Sequence, residues 1–220
     1  MKLAAILIVP AVLLPTLLFP AGRANPASQG DSVSIGGKNM IEPGYRLGQL
    51  KIGDSRARVL ELFPKKPEDQ EWENTCGTTL DWVDSTNPTG RGDVFIRLKK
   101  DKVFQIESAT TSFHTAEEIT TFDHPDKVAS AYKDMHAYTL LTAPNPTLGG
   151  RPLVFWIDKK KGIAFVFAYY PAEHKRYLYK IVIFAPNKTF CPEEETINSP
   201  KWQAIGAYAI EPPPELAPNF

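Results

Sequence analysis

An excess of charge of either sign is the first thing missing: 25 Lys and Arg stand against 25 Asp and Glu. Without a basic field the chain has no means of holding a phosphate backbone, so no nucleic-acid partner is expected. Cysteine is scarce, two residues in 220, which excludes a small disulfide-dense scaffold. Catalytic signatures are missing too. No His-Glu-x-x-His, no Gly-x-Ser-x-Gly and no Walker loop occurs, and Gly149-Gly150 is too short to cradle a phosphate. Neither a cofactor nor a metal is implied. A hydrophobic fraction of 43% and 20 prolines without a collagen period exclude a long disordered or collagen-like chain.

The longest apolar run is at the N-terminus. Lys2 gives a positive start, residues 3–19 are apolar, and Gly22-Arg23-Ala24 sets small residues where a signal peptidase reads. The pattern predicts a signal peptide over 1–24. The competing reading, a membrane anchor, is disfavoured because Pro10, Pro15 and Pro20 break a run that barely reaches spanning length. Bacterial lipidation would need a Cys just after the run, and the first is Cys76. Removing 24 of 220 residues leaves 196, with 23 basic against 25 acidic side chains and a net charge of −2. The expected chain is periplasmic or secreted, with no transmembrane segment after cleavage. In such a compartment Cys76 and Cys191 are expected to form a disulfide bond, the alternative being a catalytic thiol with no nearby base to activate it.

Residues 25–44, rich in Gly, Ser and Asn, read as a flexible arm. From 45 onward, Asp54 and Ser55 offer caps for a helix carrying Val59, Leu60, Leu62 and Phe63, closed by Pro64. A linking stretch with Trp72 and Cys76 follows, then strands over 80–83, 94–98 and 103–108, with turn chemistry over 84–92 and 99–102. Asp123 can cap a second helix, with Pro125 in its first turn and Val128, Ala131, Tyr132 and Met135 at helical spacing. A loop over 144–150 leads to strands over 153–157, 163–170 and 178–184. The tail 188–220 is Pro-rich at its end, where proline also excludes a barrel strand despite the terminal Phe220.

The two halves can be matched residue by residue. Asp54, Arg58, Val59 and Phe63 correspond to Asp123, Lys127, Val128 and Tyr132, and Trp82-Val83-Asp84 to Trp156-Ile157-Asp158. Gly92, Phe95, Ile96 and Ile106 then fall on Gly162, Phe165, Val166 and Ile181. The expectation is an α+β protein of two similar helix-plus-antiparallel-sheet units in tandem, 45–115 and 116–187. The run over 53–67, GDSRARVLELFPKKP, resembles the helix signature of the small outer-membrane assembly lipoproteins, although Phe63-Pro64 replaces the family's closing Gly. With the lipid-bearing Cys missing, membrane tethering does not carry over. Two such units in tandem are similar to the architecture of β-lactamase inhibitory proteins, whose paired sheets form a concave surface. That resemblance implies a protein-binding, inhibitor-like shape and assigns no contact residue.

Among isolated features, Asp123-His124-Pro125-Asp126 reads either as a helix start or as half of a metal site. Gly90-Arg91-Gly92-Asp93 reads as a hairpin loop or as an adhesion tripeptide, and Asn187-Lys188-Thr189 fits a glycosylation acceptor. The strands are more informative. Val94, Ile96 and Leu98 alternate with Phe95, Arg97 and Lys99, as in a sheet wetted on one side. Over 163–170, by contrast, Ala164, Val166 and Ala168 are expected inward, leaving Phe165, Phe167 and Tyr169 outward with Phe184, so that both faces are apolar. Either residues 202–210 fold back over this aromatic face or it is an open partner surface. The function expected is a non-enzymatic binding module for a protein or envelope component, with Phe165, Phe167, Tyr169 and Phe184 as contacts and Arg97 and Lys99 as rim. The alternative is an envelope hydrolase or metal-dependent enzyme using His124 or His174 with carboxylates.

Overall fold

The structure, a computed structural model, describes residues 39–66, 69–84, 92–140, 151–191 and 201–212. The expected signal peptide, most of the arm, the Gly90-Arg91 pair, the loop over 144–150 and the end of the tail lie outside these residues. In chain order the elements are β1 (Met40–Glu42), β2 (Arg46–Leu47), β3 (Leu50–Lys51), α1 (Arg56–Leu62), β4 (Gln70–Asn74), β5 (Gly77–Asp84), β6 (Gly92–Lys99), β7 (Lys102–Ser108), β8 (His114–Thr115), α2 (Pro125–Ala131), β9 (His136–Leu140), β10 (Val154–Asp158), β11 (Ile163–Tyr170), β12 (Lys175–Phe184) and β13 (Trp202–Ala207).

Both helices are short for visible reasons. Ser55 caps α1 by accepting from the Arg58 amide at 3.3 Å, and the chain leaves the helix at Phe63, because a residue before proline is pushed out of the α region. In α2 Pro125 occupies the first turn as expected, but the cap is His124, which accepts from the Asp126 amide at 3.4 Å. Asp123 instead accepts from the Thr120 amide and the Lys127 ammonium, each at 2.8 Å. Met135, expected on the helix, lies beyond its end, and β9 begins one residue later with alternate buried Ala137 and Thr139.

The expected pair of helix-plus-sheet units is corrected by the sheet itself. One nine-stranded sheet runs β13-β9-β10-β11-β12-β7-β6-β5-β4, every neighbour antiparallel. Its central seam joins β12 to β7 through Ile181↔Ser108, Val182↔Glu107, Ile183↔Ile106 and Phe184↔Gln105. The two halves are therefore one β-rich body, and helices of seven residues each are too short to form a layer of their own. A second sheet, β3-β2-β1-β8, adds to the β content. Its β1 occupies the end of the expected flexible arm, with Ile41 fully buried. Gly44 and Gly162 lock this region to the large sheet. Both have positive φ, the Gly44 amide donates to the Gly162 carbonyl at 3.1 Å, and a Cβ on Gly162 would overlap the Phe184 carbonyl oxygen.

Over β10–β12 the large sheet buries both faces. On the helix side Val59, Val94, Ile96, Ile106, Val128, Phe165, Phe167, Ile181 and Ile183 belong to one core. On the opposite side of β10–β12, helix-free among the described residues, Phe155, Ile157, Ala164, Val166, Val182 and Phe184 form a second, roofed by Phe190 and Trp202. Trp202 meets Phe155 at 4.7 Å between ring centroids and Phe190 at 6.0 Å. Beyond β13 the chain turns to the first core: Tyr208 packs on Trp156 at 5.4 Å, and the Trp156 indole donates to the Ala209 carbonyl at 2.8 Å.

Glu211 finishes this docking. Its carboxylate accepts from Arg176 Nε at 2.9 Å and Nη2 at 3.1 Å, while Arg176 Nη1 donates to the Pro152 carbonyl at 2.8 Å. The Arg176 side chain is buried and Glu211 half exposed. Glu211→Ala strands a buried guanidinium, and a cost of about 1–3 kcal/mol is expected, read as a lower urea midpoint at unchanged slope. An unchanged midpoint would show that water satisfies Arg176 equally well.

Candidate binding face

The proposed aromatic contact set is taken apart by the fold. Phe165 and Phe167 are fully buried on the helix side, where Tyr132 meets Phe165 and Trp156 meets Phe167, each at 4.7 Å. The outward direction expected for them is reversed: the small residues Ala164 and Val166 are the ones opposite the helices, in the second core. Phe184 lies on that second side, under Phe190 at 5.6 Å. Tyr169 is buried beneath the Arg151 guanidinium, 3.9 Å from its ring, and its hydroxyl meets His174 Nδ1 at 3.2 Å. Arg97, expected at a wet rim, is 2% exposed, and only Lys99 is at the surface. Residues 202–210 do pack on the sheet, Trp202 against Phe155 and Tyr208 against Trp156, but the rings that meet Phe165, Phe167 and Phe184 are those of Tyr132, Trp156 and Phe190.

What the fold brings together lies on the helix-free side of β4–β7. Cross-strand register aligns Gln70, Asp81, Phe95, Glu107 and Val182 in one row, and Trp72, Thr79, Arg97, Gln105 and Phe184 in the next. Glu107 is buried at the centre. One carboxylate oxygen accepts from Arg97 Nε and from Gln105 Nε2 at 3.0 Å, and the other accepts from Lys180 Nζ at 3.1 Å. Arg97 also donates to the Thr79 hydroxyl at 3.2 Å. Burial raises the Glu107 pKa, but the charges of Lys180 and Arg97 and their hydrogen bonds outweigh it, so the carboxyl sits below its ordinary value. A carboxylate saturated in this way is a brace and has no proton to transfer at neutral pH.

The brace supports an aromatic strip. The Lys180 ammonium lies 4.4 Å from the Phe95 ring centroid and 5.3 Å from that of Tyr179, and Trp72 meets Phe95 edge to face at 6.3 Å. Trp72 is 38% exposed. Sequence reasoning passed over this strip because Gln70–Asn74 looks like a polar linker. Its readable signal was the Glu71-Trp72-Glu73 alternation, with a two-residue turn at Thr75-Cys76 before the next strand.

Cys76 and Cys191 meet at disulfide distance, their Cα atoms 6.2 Å apart across 115 residues. Cys191 is also held by its neighbours: its amide donates to Gln105 Oε1 at 2.9 Å and its carbonyl accepts from Gln105 Nε2. The pairing is compatible with a secreted chain, and no helix among the described residues is long and apolar enough to cross a membrane.

His124 and His174 do not converge on one site. His124 sits at the exposed start of α2, 3.2 Å from Asp126, and His174 in the β11–β12 turn bonds Tyr169. A cleft of about 610 Å³ is lined by Lys133, Asp134, His136, Asp158, Lys159 and Tyr208 among others, and neither of the two proposed histidines is in its wall. No three His, Cys, Asp or Glu side chains among the described residues are grouped to hold a metal. Comparison with protein-family models, curated proteins and solved structures finds no match.

Proposed function

We propose that the chain is a secreted or periplasmic, non-enzymatic binding module that recognises a partner protein with the helix-free side of β4–β7 and the adjoining β12. The observation that carries this is the strip Trp72–Phe95–Lys180–Tyr179: an exposed indole and two partly exposed rings over a fully braced charge cluster. Aromatic side chains held rigid give up little rotamer freedom on binding, so their burial converts efficiently into affinity. Lys99, exposed at the end of β6, serves in this reading as part of the polar rim. Inhibitor-like binding, with the sheet face laid against another protein, is the mode that a rigid strip of this kind suits best.

Trp72→Ala is the direct test, because the side chain is more than one-third exposed and its loss removes little from the core. Capture of the cognate protein by the mature chain should weaken at least about tenfold while the thermal midpoint stays near wild type. Capture at wild-type strength by Trp72→Ala would sink the reading.

A further inference from the structure

The nine-stranded sheet has two edges, and they differ. At one, the register of β13 on β9 slips between Ala204 and Gly206, where Gly206 has φ +114. A bulge of this kind twists an edge away from further pairing. At the other, β4 pairs with β5 through five successive partners from Gln70↔Asp81 to Asn74↔Gly77, with no shift. Only Thr75 and Cys76 lie between Asn74 and Gly77, so that closing pair must be the hydrogen-bonded kind, and bonded and non-bonded pairs alternate from it. Asn74, Trp72 and Gln70 therefore turn their amides toward β5, while Glu71 and Glu73 present N–H and C=O outward. Among the described residues no strand takes them up.

The side chains select what fits there. Glu71 is bridged by Arg56 at 2.7 Å and Lys65 at 3.9 Å. Glu73 accepts from the Thr78 hydroxyl and has no cation within 4.0 Å among the described residues. A second copy of the chain is a poor occupant, because antiparallel pairing about Trp72 would set Glu71 against Glu73 of that copy, and like charges directly opposite repel. A strand with Lys or Arg opposite Glu73 and an apolar residue beside Trp72 meets no such penalty.

We propose that β4 is a strand-addition site for an extended, basic segment of the partner protein. The proposal rests on the binding-module reading and adds the partner's chemistry and its mode of attachment: main-chain bonds to Glu71 and Glu73 supply affinity, and Glu73 and Trp72 supply selection.

The test uses the full mature chain and two ten-residue peptides, one alternating Lys with Val and one alternating Glu with Val, with amide exchange followed residue by residue. The Lys-Val peptide should slow exchange at Glu71 and Glu73, and the Glu-Val peptide should not. Glu73→Gln should weaken the Lys-Val peptide about two- to fivefold. Glu73→Pro removes an outward N–H at a position where an edge strand tolerates proline, and should abolish binding while core amides stay protected. Equal binding of both peptides, protection at β13 instead of β4, or undiminished binding by Glu73→Pro with its core intact would overturn the proposal. So would protection of the Glu71 and Glu73 amides that grows with protein concentration alone, which would make a second copy the occupant. Loss of protein capture in Trp72→Ala combined with undiminished capture in Glu73→Pro would reject strand addition and leave the binding face standing.

Discussion

Glu107→Ala should lower the unfolding free energy by about 3–5 kcal/mol, because it takes from the buried Arg97 guanidinium and Lys180 ammonium the carboxylate that binds both. Almost none of the three side chains reaches solvent, so water cannot replace the lost carboxylate at low cost. The loss should reverse in large part when all three positions become apolar together, Glu107→Leu with Arg97→Met and Lys180→Met. Desolvation of the ions then disappears along with their attraction. Chemical denaturation of the single and triple variants separates the two effects. A single variant within about 1 kcal/mol of wild type would mean that the cluster is hydrated in solution.

The same residue dictates a pH dependence. Glu107 ionises more readily in the folded chain than in the unfolded one, where its ordinary value is about 4.5. Its contribution is therefore complete above that value and is lost as pH falls through the lower folded one. Stability measured from pH 7 down to pH 2 should decline in this acid window, and Glu107→Gln should flatten the decline. Part of the slope belongs to the other carboxylates, so the informative quantity is the difference between the two curves.

Much of the strand content was readable because alternation works where one face is polar. Val94, Ile96 and Leu98 against Arg97 and Lys99 give the pleat of β6 directly. Where both faces are buried, alternation no longer distinguishes them, and in β11 the orientation of Phe165 and Phe167 could not be fixed from their neighbours. The packing of Tyr132 on Phe165 and of Trp156 on Phe167 settles it. Edge strands failed for the opposite reason: Gln70–Asn74 is almost wholly exposed, so it has no apolar period to detect. Nor does any local pattern announce β12 on β7. That pairing joins Ile106 to Ile183, and it is what turns two expected units into one sheet.

The candidate site was less legible still, because its members are distributed over strands far apart in the chain. Trp72, Phe95, Glu107 and Lys180 belong to β4, β6, β7 and β12, and only cross-strand register makes them neighbours. One local clue existed: Glu107 directly follows Ile106 in a strand that also buries Val103, and a buried acid must be paired. The sequence does not reveal that its partners are Arg97 and Lys180, since the second is 73 residues away.

Removal of the Cys76–Cys191 link is expected to have an effect of similar size. A crosslink across 115 residues restricts the unfolded chain by about 4–5 kcal/mol on the loop-entropy model, so Cys76→Ala with Cys191→Ala should lower the denaturation midpoint accordingly. The intact mature chain should first be shown to take up no alkylating reagent until a reductant is added, which establishes the bond in solution. The local consequence is more specific than the global one. Cys191 follows Phe190, which roofs Phe155 and Phe184, and its backbone is held to Gln105 beside the Glu107 cluster. Without the link, residues 185–191 should exchange their amides well before the sheet unfolds, while a merely denatured-state effect would leave native exchange there unchanged. If the double variant keeps the wild-type midpoint and protects Cys191 as before, the Gln105 bonds and the Phe190 packing alone hold the roof, and the crosslink is dispensable to the fold.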